Sequence, residues 1–125
     1  AILDNVLKVE SNFTLQTGGI SMAKNLKYVL LLDCYGELLT KRQKQIAELY
    51  YNEDFSLSEI AEMQNITRQA VRDSLRHSEN ILLQTEEKLG MADRMLQMRF
   101  CLEQILEYSE SEQIIKLAKN GLALL

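Results

Sequence analysis

Side chains that can read DNA bases occur together in one stretch of the chain, Leu57–Arg76 (LSEIAEMQNITRQAVRDSLR). Arg68, Gln69 and Arg72 fall in the first turns of the second of two helices predicted there, and Arg76 follows one turn later. In the major groove of DNA, arginine can pair bidentately with guanine, and glutamine with adenine. The first three side chains are therefore predicted to contact base edges, and the last to contact phosphate.

The residues around the start of this helix are those that a helix-turn-helix motif needs. Ala61 is small enough to let two helices cross, and Asn65 can adopt the left-handed backbone of the turn between them. Thr67 can accept a hydrogen bond as the N-cap of the second helix, and it too is placed in the DNA-binding set. Apolar anchors occur on both helices at the required offsets, namely Ile60, Ile66, Val71 and Leu75.

The charge of the second helix is opposite in sign to that of the chain. Residues 67–77 hold three arginines and one aspartate, whereas the chain has 14 Lys+Arg, 18 Asp+Glu and a net charge of −4. An acidic chain does not coat nucleic acid nonspecifically, but one basic surface can still bind DNA. Lys41, Arg42 and Lys44, at the start of an earlier helix, are candidates for additional phosphate contacts. The acidic residues that would oppose phosphate if they faced it are Glu59, Glu62, Asp73 and Glu79.

The apolar residues follow a helical period from Ala23 onward, and the absence of proline argues against an all-β fold. Thr40 with Gln43, and Ser56 with Glu59, form capping boxes that predict helix starts. The fold class predicted is all-α, a helix-turn-helix bundle with a C-terminal helical extension. The predicted helices cover about residues 23–36, 41–51, 57–64, 68–89, 92–108 and 110–120.

Two heptad-like apolar runs lie on either side of Gly90, which ends the long helix. The helix after Gly90 is predicted to pack back on the one before it, and a capping box at Ser109–Glu112 and a stop at Asn120–Gly121 bound the last helix. Apolar surface left over predicts a homodimer, and the alternative is an intramolecular hairpin that satisfies both runs. The runs are Val71, Leu75, Ser78, Leu82, Thr85 and Leu89, then Met91, Met95, Met98, Leu102 and Ile105.

The 125 residues suit one domain or a small domain with an appendage. Residues 1–21 fit nothing that follows, and they are interpreted as a leader that does not belong to the fold or as an N-terminal arm. Residues 22–89 form the predicted helix-turn-helix domain. Residues 90–125 form the C-terminal helices, with dimerisation as their predicted role.

No set of residues in the sequence indicates catalysis, so the chain is predicted not to be an enzyme. His77 is the single histidine, and no phosphate-binding loop or nucleophile motif occurs. Cys34 and Cys101 lack zinc-site spacing and are predicted to be buried free thiols, so neither a metal nor a cofactor is expected. Tyr50 and Tyr51 are expected to pack in the core. No apolar stretch is long enough to insert in a membrane, and a cytoplasmic location is predicted.

Four segments in order strongly resemble the YlxM/p13-like family of small bacterial helix-turn-helix proteins: YGELLT at 35–40, ELYY at 48–51, DFSLSEIAE at 54–62 and RQAVRD at 68–73. The same order is similar to region 4 of bacterial sigma factors. The resemblance covers about Lys24–Leu89. It implies a cytoplasmic DNA-binding regulator. Because genes of the family typically neighbour that of the signal recognition particle GTPase, it also implies, by association, a link to the signal recognition particle pathway.

Two functions from different classes therefore remain. The first is a regulator that reads the major groove. The second is a protein-interaction module whose helix-turn-helix docks a protein such as the signal recognition particle GTPase or RNA polymerase. The acidic chain favours the second, whereas the charge of the helix that begins after Thr67 favours the first.

Overall fold

The structure, a computed structural model, describes residues 23–125, with side chains from residue 26 onward. The leader or arm predicted at residues 1–21 lies outside the described residues. Across the part described, no helix is both long enough and apolar enough to cross a bilayer.

The fold of residues 23–125 is all-α, as the sequence predicts, and this part contains no strand. A short 3₁₀ turn at Gly36–Leu38 separates the first two helices. The helices are α1 (Ala23–Tyr35), α2 (Lys41–Tyr51), α3 (Leu57–Gln64), α4 (Arg68–Leu89), α5 (Met91–Tyr108) and α6 (Glu112–Ala123).

Side-chain caps start three of these helices where the sequence predicts them. Thr40 Oγ1 accepts from the Gln43 amide at 3.2 Å, and Gln43 Oε1 accepts from the Thr40 amide at 3.0 Å, so this capping box is complete. Ser56 Oγ accepts from the Glu59 amide at 3.1 Å. Each cap satisfies an amide that has no partner inside its own helix, which fixes the first residue of the helix.

Two left-handed residues end the middle helices. Asn65 ends α3 with φ 53° and ψ 47°, and Gly90 ends α4 with φ 62° and ψ 22°. Behind Asn65, the amide of Ile66 donates to the carbonyl of Ala61 at 3.0 Å, which closes the end of α3. Asparagine and glycine are the residues that adopt this backbone most readily.

The core lies among α1, α2, α3 and the first four turns of α4. Leu31, Ile46, Ile60, Val71 and Leu82 are buried to 1% exposure or less. Burial of an aliphatic side chain of this size stabilises the fold by about 1.5–3 kcal/mol. These side chains hold the four helices in one arrangement, and that arrangement sets the direction of α4.

The prediction that the helix after Gly90 packs back on its predecessor is wrong. The first turns of α5 lie against α1, where Ala92 is buried and Leu96 packs on the core. Cys34 Sγ lies 3.8 Å from Met95 Sδ in the same contact. The remainder of α5 packs chiefly against α6. The core therefore continues past residue 90, and the domain division drawn there stays a prediction.

The bounds predicted for the last helix are also wrong. Ser111, rather than Ser109, is the N-cap of α6, and Ser109 Oγ instead accepts from the Ser111 amide at 3.3 Å. Gly121, predicted to stop the helix, lies inside it. A Cβ at Gly121 would sit 3.1 Å from Leu102 Cδ1, so this glycine allows α6 to approach α5 closely.

Candidate nucleic-acid interface

The helix-turn-helix is built from α3, the turn at Asn65–Thr67 and α4. Ala61 is buried where α3 meets α4, and Ile60 is fully buried beside it. From α4, Val71 and Leu75 enter the same core. The predicted anchors are confirmed, and they fix which face of α4 points inward.

The opposite face of α4 carries the predicted DNA-binding residues. Thr67 caps the helix by accepting from the Ala70 amide at 3.0 Å, so its hydroxyl fixes the first turn. Arginines recur at every fourth residue, which places them along one side of the helix. Thr67, Arg68, Gln69, Arg72 and Arg76 are all exposed.

The three arginines of this face are free of protein partners within residues 23–125. Arg68, Arg72 and Arg76 form no ion pair or side-chain hydrogen bond there. The unpaired backbone amides at the start of α4 add a further partial positive charge. The start of α4 is thus a cationic surface that can accept the phosphates and acceptor-rich base edges of DNA.

Gln69 and Asp73 form a hydrogen bond on the outward side of α4. Gln69 Nε2 donates to Asp73 Oδ1 at 2.9 Å, and both side chains are exposed. The two residues lie one helical turn apart, where such pairs form readily. Gln69 therefore has a defined orientation before any ligand arrives.

Of the acidic residues that could oppose phosphate, Glu79 is directed toward α2. Its carboxylate accepts a hydrogen bond from the Tyr51 hydroxyl. Burial, and then this hydrogen bond, raise the pKa of Tyr51 far above its usual range, so Tyr51 stays a neutral donor. Glu59, Glu62 and Asp73 are exposed.

The tyrosines predicted to pack in the core do so. Tyr51 is buried, with its ring centroid 5.3 Å from that of Tyr28 and 4.9 Å from that of Tyr50. Tyr50 is half-buried in this cluster. The cluster packs the end of α2 against α1 and, through Glu79, ties it to α4.

The three cations of α2 differ in their surroundings. Lys41 and Arg42 are exposed, and within residues 23–125 neither forms an ion pair. Lys44 Nζ forms an ion pair with Glu37 and lies 3.9 Å from Glu48 Oε1. The hydrogen bond to Glu37 raises the pKa of Lys44 and lowers the pKa of Glu37. Lys44 is therefore already neutralised in part, unlike its two neighbours.

A further polar cluster, which sequence reasoning missed, joins α1, α4 and α5. Glu86 accepts hydrogen bonds from the Ala92 amide at 3.1 Å, the Asp93 amide at 3.2 Å and the Tyr35 hydroxyl at 2.7 Å. Tyr35 Oη accepts in turn from the Met91 amide at 3.1 Å. We call Tyr35, Glu86 and these amides the Glu86 clasp.

The Glu86 clasp takes the place of an N-cap for α5. Gly90 precedes that helix and has no side chain with which to cap it, so the carboxylate from α4 satisfies the free amides and the positive helix end. Burial, and then the hydrogen bond to Glu86, raise the pKa of Tyr35 to about 12. The missing cap at Gly90 was a signal in the sequence, but nothing local points to Glu86 and Tyr35.

The cysteines differ from their predicted state. Cys101 is exposed and Cys34 is half-buried, and both are free thiols. Within the described residues, no group of three or more His, Cys, Asp or Glu side chains is arranged to hold a metal ion.

The crossing at Ala61, the left-handed turn at Asn65 and the exposed cationic helix together define a helix-turn-helix protein. The family described as "Putative helix-turn-helix protein, YlxM / p13 like" matches residues 22–120. The chain belongs to this family, UPF0122, as the sequence resemblance indicated.

Curated relatives carry the same family name. A UPF0122 protein of Desulforamulus reducens is 50% identical over 80 residues, which cover 64% of this chain and 68% of the relative. One of Acetivibrio thermocellus is 46% identical over 93 residues, covering 74% and 80%. One of Clostridium novyi is 38% identical over 101 residues, covering 76% and 88%. The family match to residues 22–120 extends beyond the helix-turn-helix into the C-terminal helices.

Proposed function

We propose that the protein is a DNA-binding regulator that inserts the start of α4 into the major groove. The observation that carries this proposal is the row of exposed arginines at 68, 72 and 76, which follows a capped helix-turn-helix and has no acidic partner within residues 23–125. In proteins of this class, the first residues of the second helix contact base edges.

The proposal divides the cationic residues by role. Arg68, Gln69 and Arg72 contact base edges, and Arg76 contacts phosphate because it lies one turn further from the helix start. The exposed Lys41 and Arg42 add phosphate contacts from α2. Lys44 contributes less, since Glu37 competes for its ammonium group, and Thr67 serves by fixing the first turn of α4.

The test is binding to duplexes selected from a random library by the full chain. Arg68→Ala and Arg72→Ala should each weaken binding to the selected site by about 1–3 kcal/mol and relax its sequence preference. Lys41→Ala should weaken binding to all duplexes about equally. Arg94→Ala, which removes an exposed arginine from α5, is the matched control and should change neither.

The salt dependence of binding separates this proposal from the protein-docking alternative. A protein that holds several phosphates shows a steep fall of log affinity with log salt concentration. A flat slope, with Arg68→Ala and Arg72→Ala both like the wild type, would contradict DNA readout. The signal recognition particle link rests on the family resemblance alone, so its GTPase is the partner to test for docking in that case.

We also propose that the C-terminal helices form a homodimer. Met91, Met98 and Ile105 recur every seventh residue on one side of α5, and all are exposed. Ile114 and Leu117 on α6 are exposed as well, and so is Leu124, which follows the last residue of that helix. Several exposed apolar side chains on neighbouring helices are typical of protein interfaces, and a dimer would give two helix-turn-helix motifs for two half-sites.

Light scattering at micromolar concentration tests the dimer. Met98→Glu with Ile105→Glu should give a monomer that keeps its helical content, because both side chains are exposed. Met95 and Leu102 belong to the same predicted heptad run, but they are half-buried against α1 and α6. Glutamate at these two positions would disturb the fold of the monomer as well as the dimer. A monomeric wild type would contradict this part of the proposal.

A further inference from the structure

Asp73 is the acidic residue closest in sequence to the arginines of the outward face of α4, and it is bonded to a neighbour. Its carboxylate accepts from Gln69 Nε2 at 2.9 Å. An exposed glutamine is otherwise free to rotate about three side-chain bonds, so this hydrogen bond removes rotamer freedom before DNA is bound.

The chemistry of the pair fixes which way the Gln69 amide points. An ionised carboxylate only accepts hydrogen bonds, so the amide must turn its nitrogen, and not its oxygen, toward Asp73. One N–H of Gln69 is used in this way. The other N–H and the carbonyl oxygen form no side-chain hydrogen bond within residues 23–125.

The two free groups of Gln69 match one base. Adenine presents an acceptor, N7, next to a donor, the N6 amino group, in the major groove. A glutamine amide meets both with one N–H and its oxygen, which are the groups that Asp73 leaves available. If the amide were reversed, or rotated away, this pairing would be lost.

The negative charge of Asp73 lowers the affinity for DNA, although its hydrogen bond favours the recognition of adenine. An exposed carboxylate on a cationic surface repels the phosphates of every duplex, whatever its sequence. Long-range repulsion of this kind weakens as salt is added, whereas the orientation of the Gln69 amide does not depend on screening. The two effects of one residue can therefore be measured separately.

We propose that Asp73 is a positioning residue for base recognition, an inference that rests on the proposed function. It holds the Gln69 amide in the orientation that reads adenine, and it lowers the affinity for all DNA. Specificity, which is a difference between affinities, is thereby gained at the expense of binding strength.

The experiment uses the full chain, the duplex selected by the wild type, and variants of that duplex at each base pair. Gln69→Ala identifies the adenine contact as the base pair at which preference is lost. Asp73→Ala should bind all duplexes more tightly, by several-fold at low salt. It should also lose about twofold of the preference at that same base pair, because an exposed hydrogen bond of this kind can bias the Gln69 amide by no more than that. Raising the salt should shrink the gain in affinity and leave the lost preference unchanged.

Glu62→Ala is the matched control, because it removes an exposed carboxylate from α3 that forms no hydrogen bond with Gln69. It should raise affinity and keep the adenine preference. In a Gln69→Ala background, Asp73→Ala should have no further effect on preference. Thermal melting by circular dichroism confirms that each variant is folded.

Two results overturn the inference while leaving the proposed function intact: an Asp73→Ala protein that keeps the wild-type preference, or one that changes preference equally when Gln69 is already alanine. A wild-type protein that selects no sequence contradicts the proposed function, and this inference falls with it.

Discussion

The two ends of the molecule bury different kinds of side chain. Among α1 to α4, large residues such as Leu31, Ile46 and Leu82 are almost completely buried. In α5 and α6, the buried residues are two alanines, Ala92 and Ala118, and several large apolar side chains are exposed. The first region is held by its own core, whereas the second depends on contacts with α1, with itself and, as proposed, with a second copy.

This difference agrees with the separate tasks that we propose for the two regions. A reading helix must be held in one direction, and a close-packed core provides that. A surface for association must keep apolar side chains exposed until the partner arrives.

Matched leucine substitutions should separate the regions most strongly. Leu82→Ala, in the core, should lower the free energy of unfolding by about 2–5 kcal/mol, because it leaves a cavity. Leu117→Ala, at a site 70% exposed, should change it by about 0.5 kcal/mol or less. Urea unfolding of the dilute monomer measures both. Equal losses would show that the two regions are not packed differently.

Overpacking the helix crossing should have the next largest effect. Ala61→Leu adds bulk where α3 meets α4 and should lower the free energy of unfolding by about 1–3 kcal/mol. Ala123→Leu, at an exposed site in α6, is the control and should be close to neutral. A melting temperature for Ala61→Leu equal to that of the wild type would mean that the crossing has room to spare.

The Glu86 clasp joins the two regions, so its loss should weaken the connection. Glu86→Gln removes the charge that satisfies the amides of α5 and should lower the free energy of unfolding by about 1–2 kcal/mol. Glu87→Gln, at the exposed neighbouring residue, should have little effect. Hydrogen exchange should show that the amides of Ala92 and Asp93 lose protection in the first variant alone.

The same clasp predicts a pH dependence. The pKa of Tyr35 is raised from 10.0 to about 12. Between these values an unfolded tyrosine loses its proton while the folded one keeps it, so stability falls as pH rises. Urea unfolding at pH 9, 10 and 11 should show a smaller decline for Tyr35→Phe than for the wild type. Tyr28 and Tyr51, whose pKa values are also raised, contribute equally to both proteins. Identical declines would contradict the prediction.

The smallest effect is expected at Ser78, which is buried in the core region. Its hydroxyl has no hydrogen-bond partner among the described residues. Ser78→Ala removes this unsatisfied group and should raise the free energy of unfolding by about 1 kcal/mol. Ser74→Ala, at a half-buried site one turn earlier, is a control for the change in helix propensity. A loss of stability at Ser78 would show that the hydroxyl has a role in the fold.

The features that the sequence predicts correctly are those that depend on residues close together in the chain. Thr40, Ser56 and Thr67 each lie three residues from the amide they accept from, so a short motif is enough to locate the helix start. Asn65 and Gly90 end their helices because each adopts the left-handed backbone, which depends on the residue itself and not on distant contacts. The exposed face of α4 follows from the same periodicity that places its anchors in the core.

The errors fall where distant residues decide the outcome. The sequence around Gly121 predicts a helix stop, but in the structure this glycine makes room for Leu102, nineteen positions earlier in the chain. Ser109 and Ser111 are both acceptable caps, and local sequence does not choose between them. The start of α5 is held by Glu86 and by Tyr35, which is 56 residues from Met91. Contacts between residues so far apart in the chain produce no short motif or repeating pattern from which they could be predicted.

The continuity of α4 makes it a mechanical lever. Its 22 residues span about 33 Å, with Arg68 at one end and the Glu86 clasp in the last turn at the other. Glu86 lies about 27 Å from Arg68 along the helix. A tilt of about 10° about the clasp would displace Arg68 by about 5 Å, or about one and a half base-pair steps of about 3.4 Å each. In the proposed complex with DNA, the Glu86 carboxylate and the Tyr35 hydroxyl therefore act together with the core to align the arginines.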